Sequence, residues 1–215
     1  MSARDRILER LRGSAPDPKL VVAPLLPVSD GARNDRMAQM TACLEAAHAE
    51  VRQVARGGLA DAIFGFCKSR NLKSLMLPAG DLPFTVPAAS VDLVIERFDR
   101  PVEEFKSRLF RDIDAGLTVA DCAIADTGTL VMGSSPRQPR TLSLVPPIHL
   151  CLLDERHIHP SLGSAMQAEA WATKLPTNLI FISGPSKTAD IQQTLAYGAH
   201  GPKELIVFVY SGGEA

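Results

Sequence analysis

Seven short runs with β-strand character recur after residue 49: EVRQVA, SLMLP, DLVIE, TLVMGS, IHLCLL, NLIFIS and ELIVFVY. Helical patterns separate several of them, notably LADAIFGFCKSRN, EEFKSRLFRDIDA, LGSAMQAEAWATK and TADIQQTLAYG. This alternation constrains the fold most, because a helix of such length between two strands lets the second lie parallel to the first. LIFIS and LIVFVY are apolar at nearly every position, the pattern of strands buried on both sides. The expectation is an α/β domain whose mostly parallel sheet is covered on both faces. The alternation does not specify strand order, and no internal repeat or low-complexity segment stands out.

The first 48 residues read differently. Residues 2–12 suit a short helix, with Ser2 as cap, Asp5 in the first turn and Ile7, Leu8 and Leu11 as an apolar stripe. The following GSAPDPKLVVAPLLPVSD carries four prolines, which disfavour a helix or central strand and predict an extended arm. A second helix is expected over about 31–48, with Met37, Met40, Leu44 and Ala47 on one side. Residues 1–48 are therefore read as an N-terminal helical extension with a proline-rich arm, and 49–215 as the α/β domain.

Composition narrows the function classes. A chain of 215 residues can build one sizeable domain, and 46% hydrophobic with 22% charged residues is a soluble, globular balance. Lys plus Arg number 23 against Asp plus Glu 24, so nothing points to nucleic acid as a partner. The apolar stretch LSLVPPIHLCLL is interrupted by two prolines and a histidine and is too short to span a bilayer. The charged start MSARDRILERLRG lacks the apolar region of a secretory signal, so a cytoplasmic location is expected. Cys43, Cys67, Cys122 and Cys151 are far apart, without the close spacing of iron–sulfur or zinc motifs, and read as scattered buried thiols.

Three stretches could carry chemistry. In SGPSKTAD, a turn after the strand NLIFIS leads toward an expected helix over TADIQQTLAYG, with Ser186 as N-cap and Asp190 in or near the first turn. Gly184 would let the backbone approach a ligand, and free N–H groups at the helix start would favour an anion; a well-capped helix without a ligand explains the same residues. At the far end, Gly198 suits a left-handed helix terminus and Pro202 stops the helix. His200 would then lie roughly 20 Å from Ser186 by helical rise, too far for one site.

The third stretch is ADTGTLVMGSSPRQPR. Asp126, Thr127, Gly128 and Thr129 suit a tight turn into a strand, stabilised by side chains bonding their own backbone; the same groups could line a pocket. Arg137 and Arg140 could grip a carboxylate or phosphate through bidentate contacts. His157 and His159 would share one face of a strand, but no third metal ligand is indicated, so no metal site is assigned. Dinucleotide, P-loop, nucleophile-elbow and HExxH motifs are absent.

Taken together, ADTGTLVM, RTLSLVPPIHLCLL and ISGPSKTADIQQTLAYGAHGPKEL resemble the lactate-utilization (LUD) domain family, specifically its LutC group, over roughly residues 117–210. The N-terminal ILERLR also looks like the start of LutC proteins. The resemblance implies a three-layer α/β/α sandwich like the sugar-phosphate isomerase and coenzyme A transferase fold. It implies a bacterial cytoplasmic role in oxidising L-lactate to pyruvate with iron–sulfur partner proteins. The clusters are expected on those partners, with no cofactor in this chain. A stand-alone isomerase- or acyl-transferase-like enzyme, or a non-catalytic assembly module, is the alternative. The family often has glutamate where this chain has Asp126, one methylene longer, so no catalytic role is carried over. The implied candidates for binding a small carboxylate or other anion are Asp126, Thr127, Gly128, Thr129, Arg140, Ser183, Gly184, Ser186, Thr188, Asp190, His200 and Gly201.

Overall fold

The computed structural model describes residues 3–13, 33–87, 92–174, 178–189 and 195–212. The proline-rich arm and Asp190 lie outside the described residues. Helix α1 spans Ala3–Gly13 and buries none of its residues. Helix α2 (Arg33–Ala46) buries Met40 and Leu44 completely, so this part of the N-terminal segment belongs to the core. Its end is a Schellman turn. His48 takes φ 68°, its N–H donates to Glu45 O, and the Ala49 N–H donates to Leu44 O at 2.9 Å.

Six parallel strands make the main sheet: β1 (Glu50–Ala55), β2 (Ser74–Pro78), β3 (Val94–Phe98), β4 (Ala115–Val119), β7 (Ile148–Asp154) and β12 (Glu204–Ser211). Their order is β1-β12-β7-β4-β2-β3. A smaller four-stranded sheet contains β5 (Cys122–Ile124), β6 (Thr129–Gly133), β8 (Ile158–His159) and β9 (Leu179–Ile182), in the order β8-β5-β6-β9. Strands β10 (Lys187–Ala189) and β11 (Leu195–Tyr197) pair separately as an antiparallel ribbon.

The alternation of side chains along each strand divides the main sheet's core in two. Leu150 and Leu152 of β7, with Ile206, Phe208 and Tyr210 of β12, face helix α3 (Leu59–Ser69). That helix presents Leu59, Ile63, Phe66 and Cys67, a 3.6-residue stripe, with Asp61 in its first turn and Lys68 in its last to complement the dipole. Cys151 and Leu153, with Leu205, Val207 and Val209, face the other way. They meet Met40 and Leu44 of α2 and the small sheet's Ala123, Leu130, Met132 and Ile158. Beyond these, helices α4 (Lys106–Arg111) and α5 (Thr141–Leu144) contribute Leu109 and Leu142 to a cluster with Met76 and Phe98. The parallel sheet covered on both faces is as expected, but one cover is a mixture of helices and a second sheet.

Two short helices, α6 (Leu162–Ala168) and α7 (Trp171–Lys174), lie within LGSAMQAEAWATK. Ser161 caps α6, accepting from the Ser164 N–H at 3.2 Å. Strand β9 corrects an expectation: LIFIS is not buried on both faces. It lies at the edge of the small sheet, with Phe181 48% exposed and set edge-on to Trp171 at 6.1 Å. Among the described residues, no helix is long and apolar enough to cross a membrane.

Candidate functional site

In place of the helix expected over TADIQQTLAYG, the described residues at its two ends pair as the β10–β11 ribbon, with Lys187 opposite Tyr197 and Ala189 opposite Leu195; residues 190–194 lie outside the described residues. The ribbon's base is closed by the Gly198 N–H donating to Ser186 O at 2.9 Å. Helical propensity over so short a segment is weak, and cross-strand pairing overrides it, helped by the strand-favouring Thr188 and Tyr197. Gly198 has the expected positive φ, 74°, but as the exit of a ribbon rather than the end of a helix. Ser186 is no helix cap; its N–H donates to Pro202 O at 2.9 Å.

This folding-back removes the separation that kept Ser186 and His200 apart. Both line one pocket of about 250 Å³, together with Ser183, Gly184 and Gly201. Gly201 approaches Ser186 so closely that a Cβ added there would lie 3.1 Å from Ser186 Cβ. Ser143 and Leu144 at the end of α5 form a further wall, and His149 and Leu205, near the starts of β7 and β12, lie at the base.

The turn Asp126–Thr129 joins the pocket through hydroxyls rather than through a carboxylate. Thr127 Oγ1 lies 2.7 Å from Thr129 Oγ1, which lies 2.8 Å from Ser183 Oγ. This chain of three links the β5–β6 turn to the strand end that lines the pocket. Asp126 is exposed, and its carbonyl accepts a long contact from Cys43 Sγ at 3.8 Å.

Gly128 and Gly184 serve packing. Gly128 has φ 58°, and a Cβ there would sit 2.6 Å from Cys43 Cβ and 2.9 Å from Leu44 N. A Cβ on Gly184 would meet Ala47 O at 2.9 Å. Both glycines admit the end of α2 and the residue after it. Thr188 lies in β10, its side chain outside the described residues.

Sequence reasoning missed His149. It is 1% exposed, and its Nε2 lies 2.8 Å from Thr118 Oγ1, which also reaches Met132 Sδ at 3.1 Å. When the hydroxyl proton points at the sulfur, its oxygen accepts from the imidazole N–H. Burial drives the His149 pKa down to about 3, so the ring beneath the pocket is neutral at ordinary pH. The available signal was a single histidine within the apolar run IHLCLL, since a polar side chain in a buried strand needs a reason.

Arg140 lies elsewhere. With Arg137, Arg100, Asp99, Ala79 and Phe98 it lines a cleft of about 680 Å³ at the carboxyl ends of β2 and β3, the edge where open α/β sheets bind ligands. The Gln138 side chain anchors this loop, accepting from the Val119 N–H and donating to Val119 O, both at 2.8 Å. Helix α5 separates the two cavities: Arg140 and Thr141 face the cleft, Ser143 and Leu144 the pocket. Among the described residues, one set of donor side chains is close enough to hold a metal ion, and it lies outside both cavities.

The sequence matches the family model of the LUD domain over residues 37–210. The chain belongs to the LUD domain family. That match includes α2, in keeping with its burial against the core. Over 216 aligned residues, this LUD chain is 39% identical to an uncharacterized protein of Neisseria meningitidis, covering 96% of this chain and 93% of that one. It is 28% identical to lactate utilization protein C 1 of Bacillus mycoides, covering 86% of this chain and 83% of the relative. Its fold is similar to a crystal structure of a DUF162 family protein from Deinococcus radiodurans, with a TM-score of 0.65 and 26% identity. That likeness covers 86% of this chain and all of the other.

Proposed function

We propose that this LUD protein acts in lactate utilization as a LutC-like component, in the cytoplasm, alongside iron–sulfur partner proteins. The observation that carries this reading is the family match together with a relative named lactate utilization protein C 1, aligned over 83% of its length. On this reading the clusters belong to the partners. The four thiols here are free and distributed, with Cys67, Cys151 and Cys122 in three different parts of the core.

The pocket beside Ser183, Ser186 and His200 is the proposed place for a small carboxylate. At about 250 Å³ it falls just below the usual size of drug-sized ligand sites and suits a molecule of a few heavy atoms. Hydroxyls and an imidazole can satisfy a carboxylate without a buried countercharge. The purified chain is expected to leave L-lactate unoxidised with an artificial electron acceptor alone, and to support pyruvate formation when the iron–sulfur partners are added. Lactate turnover by the chain alone would sink this reading.

A second reading is favoured by the arginine-lined cleft. Arg100, Arg137 and Arg140 at the sheet's carboxyl edge suit a phosphorylated or coenzyme A ligand, as in a stand-alone isomerase- or acyl-transferase-like enzyme. Arg100 is partly engaged, by Glu96 at 3.3 Å and the Phe105 ring at 5.5 Å. Thermal-shift measurements separate the readings. A phosphorylated ligand at about 100 times its Kd would raise Tm by roughly 5–10 °C if it binds the cleft. Arg137→Ala would abolish that shift. Stabilisation by L-lactate but by no sugar phosphate or acyl coenzyme A would reject the second reading.

A further inference from the structure

The outer face of the small sheet gathers donors that neither cavity uses. Strands β5 and β8 run parallel with Ile124 opposite His159, which puts His159 on the same face as Ile124 and Cys122. Helix α6 covers this face, packing Ala165 with Cys122, Ile124 and Val131. Just past its end, the Glu169 N–H donates to Ala165 O and Ala170 turns with φ 51°. Glu169 Oε1 there lies 3.0 Å from His159 Nε2. One donor atom each from Cys122, His159 and Glu169 falls within 4.8 Å of the others.

We propose that Cys122, His159 and Glu169 bind a divalent transition metal ion, Zn²⁺ in the first place, with the fourth position open to water. A tetrahedral zinc with bonds of about 2.0–2.3 Å separates its ligand atoms by roughly 3.3–3.6 Å. The three donors reach that spacing with shifts on the order of 1 Å. Cys122 is fully buried, while the His159 and Glu169 side chains are 15% and 29% exposed, so the group is closed beneath and accessible from solvent. Thiolate and imidazole together select zinc-like metals over magnesium and calcium.

Burial, then Glu169 and Asp121, hold the Cys122 thiol up to about 12. The Asp121 carboxyl is itself raised, by burial first and by Glu169 among other causes, while its Oδ2 accepts from the Gly133 N–H. Metal binding therefore displaces the Cys122 thiol proton, and a bound dication offsets the charge of Glu169 and Asp121. The neighbouring His157 Nδ1 bonds Asp121 O at 2.9 Å, holding the start of β5 beside the donors.

The test is a titration of the purified full-length chain with Co²⁺, a spectroscopic stand-in, and with Zn²⁺ in competition. One equivalent of Co²⁺ is expected to bind with a thiolate-to-metal charge-transfer band that Zn²⁺ displaces. Cys122→Ser should remove the band. Because Cys122 is fully buried, Glu169→Gln and His159→Gln provide partly exposed alternatives. Each should keep the native circular dichroism spectrum and weaken Zn²⁺ binding by about 100-fold or more. Absence of Co²⁺ binding by the wild-type chain overturns the assignment. So does binding without the band, or binding of equal strength in folded Glu169→Gln and His159→Gln proteins.

Discussion

Gly116→Ala is expected to lower the unfolding free energy by about 3 kcal/mol, at the upper end of what overpacking a core usually costs. Gly116 sits in β4, buried in the middle of the six-stranded sheet and opposite His149 of β7. A Cβ there would lie 2.3 Å from Leu142 O, 3.2 Å from Leu142 C and 2.9 Å from Pro146 Cγ. The first two are backbone atoms, so relief requires moving α5 itself, which also divides the two cavities. For a domain of this size, 3 kcal/mol corresponds to roughly 6–12 °C in Tm. Gly65→Ala is the control: it lies in α3 with nothing within 4 Å of an added Cβ, and should stabilise by about 0.5–1 kcal/mol through helix propensity. Urea denaturation of both variants measures the difference. If Gly116→Ala falls within about 0.5 kcal/mol of wild type, the close approach of α5 is not what demands glycine.

That close approach is not legible in the sequence, whereas the sheet it serves largely is. LIVFVY was readable as a strand buried on both faces because such burial removes the polar alternation, and it is buried along most of its length, as is IHLCLL, which reads simply as a strand. LIFIS has the same composition for another reason. Its Phe181 packs on Trp171 outside the main core, and an apolar run does not distinguish a central strand from the edge of a small second sheet. β5 and β8 were missed because three and two residues are too short to establish a period, and β4 because AGLTV carries only two large apolar side chains.

The site was half visible for a related reason. Turn residues such as Gly184, Gly198 and Gly201 announce themselves locally, but their convergence depends on whether Lys187–Ala189 and Leu195–Tyr197 belong to one helix or pair as a ribbon. The first outcome places Ser186 and His200 at opposite ends; the second puts them in one pocket. His159 likewise gained neighbours from Cys122 and Glu169 only through strand pairing and the end of α6. Long-range contacts of this kind leave no spacing signature. His149 was the exception, a polar residue conspicuous within an apolar strand.

His149 should make the protein sensitive to acid well above the carboxylate range. An unfolded histidine has a pKa of about 6.5, while burial holds the folded His149 at about 3. Between those values the unfolded chain binds the extra proton and the folded chain does not. Stability is therefore unaffected above pH 6.5 and falls as the pH drops through the window, by up to about 1.4 kcal/mol per unit. Asp154, whose carboxyl is held below its ordinary value against the opposing effect of burial by hydrogen bonds and charge from Arg156, destabilises in the same direction but only at lower pH. Over pH 6.5 to 4.5, comparison with a variant that cannot titrate at position 149 isolates the histidine from the carboxyls. His149→Gln keeps a donor for Thr118 Oγ1 but cannot titrate. Wild type should lose about 2 kcal/mol more than this variant across those two pH units, measured by urea midpoints at each pH. Parallel pH profiles for the two proteins would mean that the imidazole at the base of the pocket takes up its proton without cost, and that the floor is wetter than its closure by Thr118 and Leu205 implies.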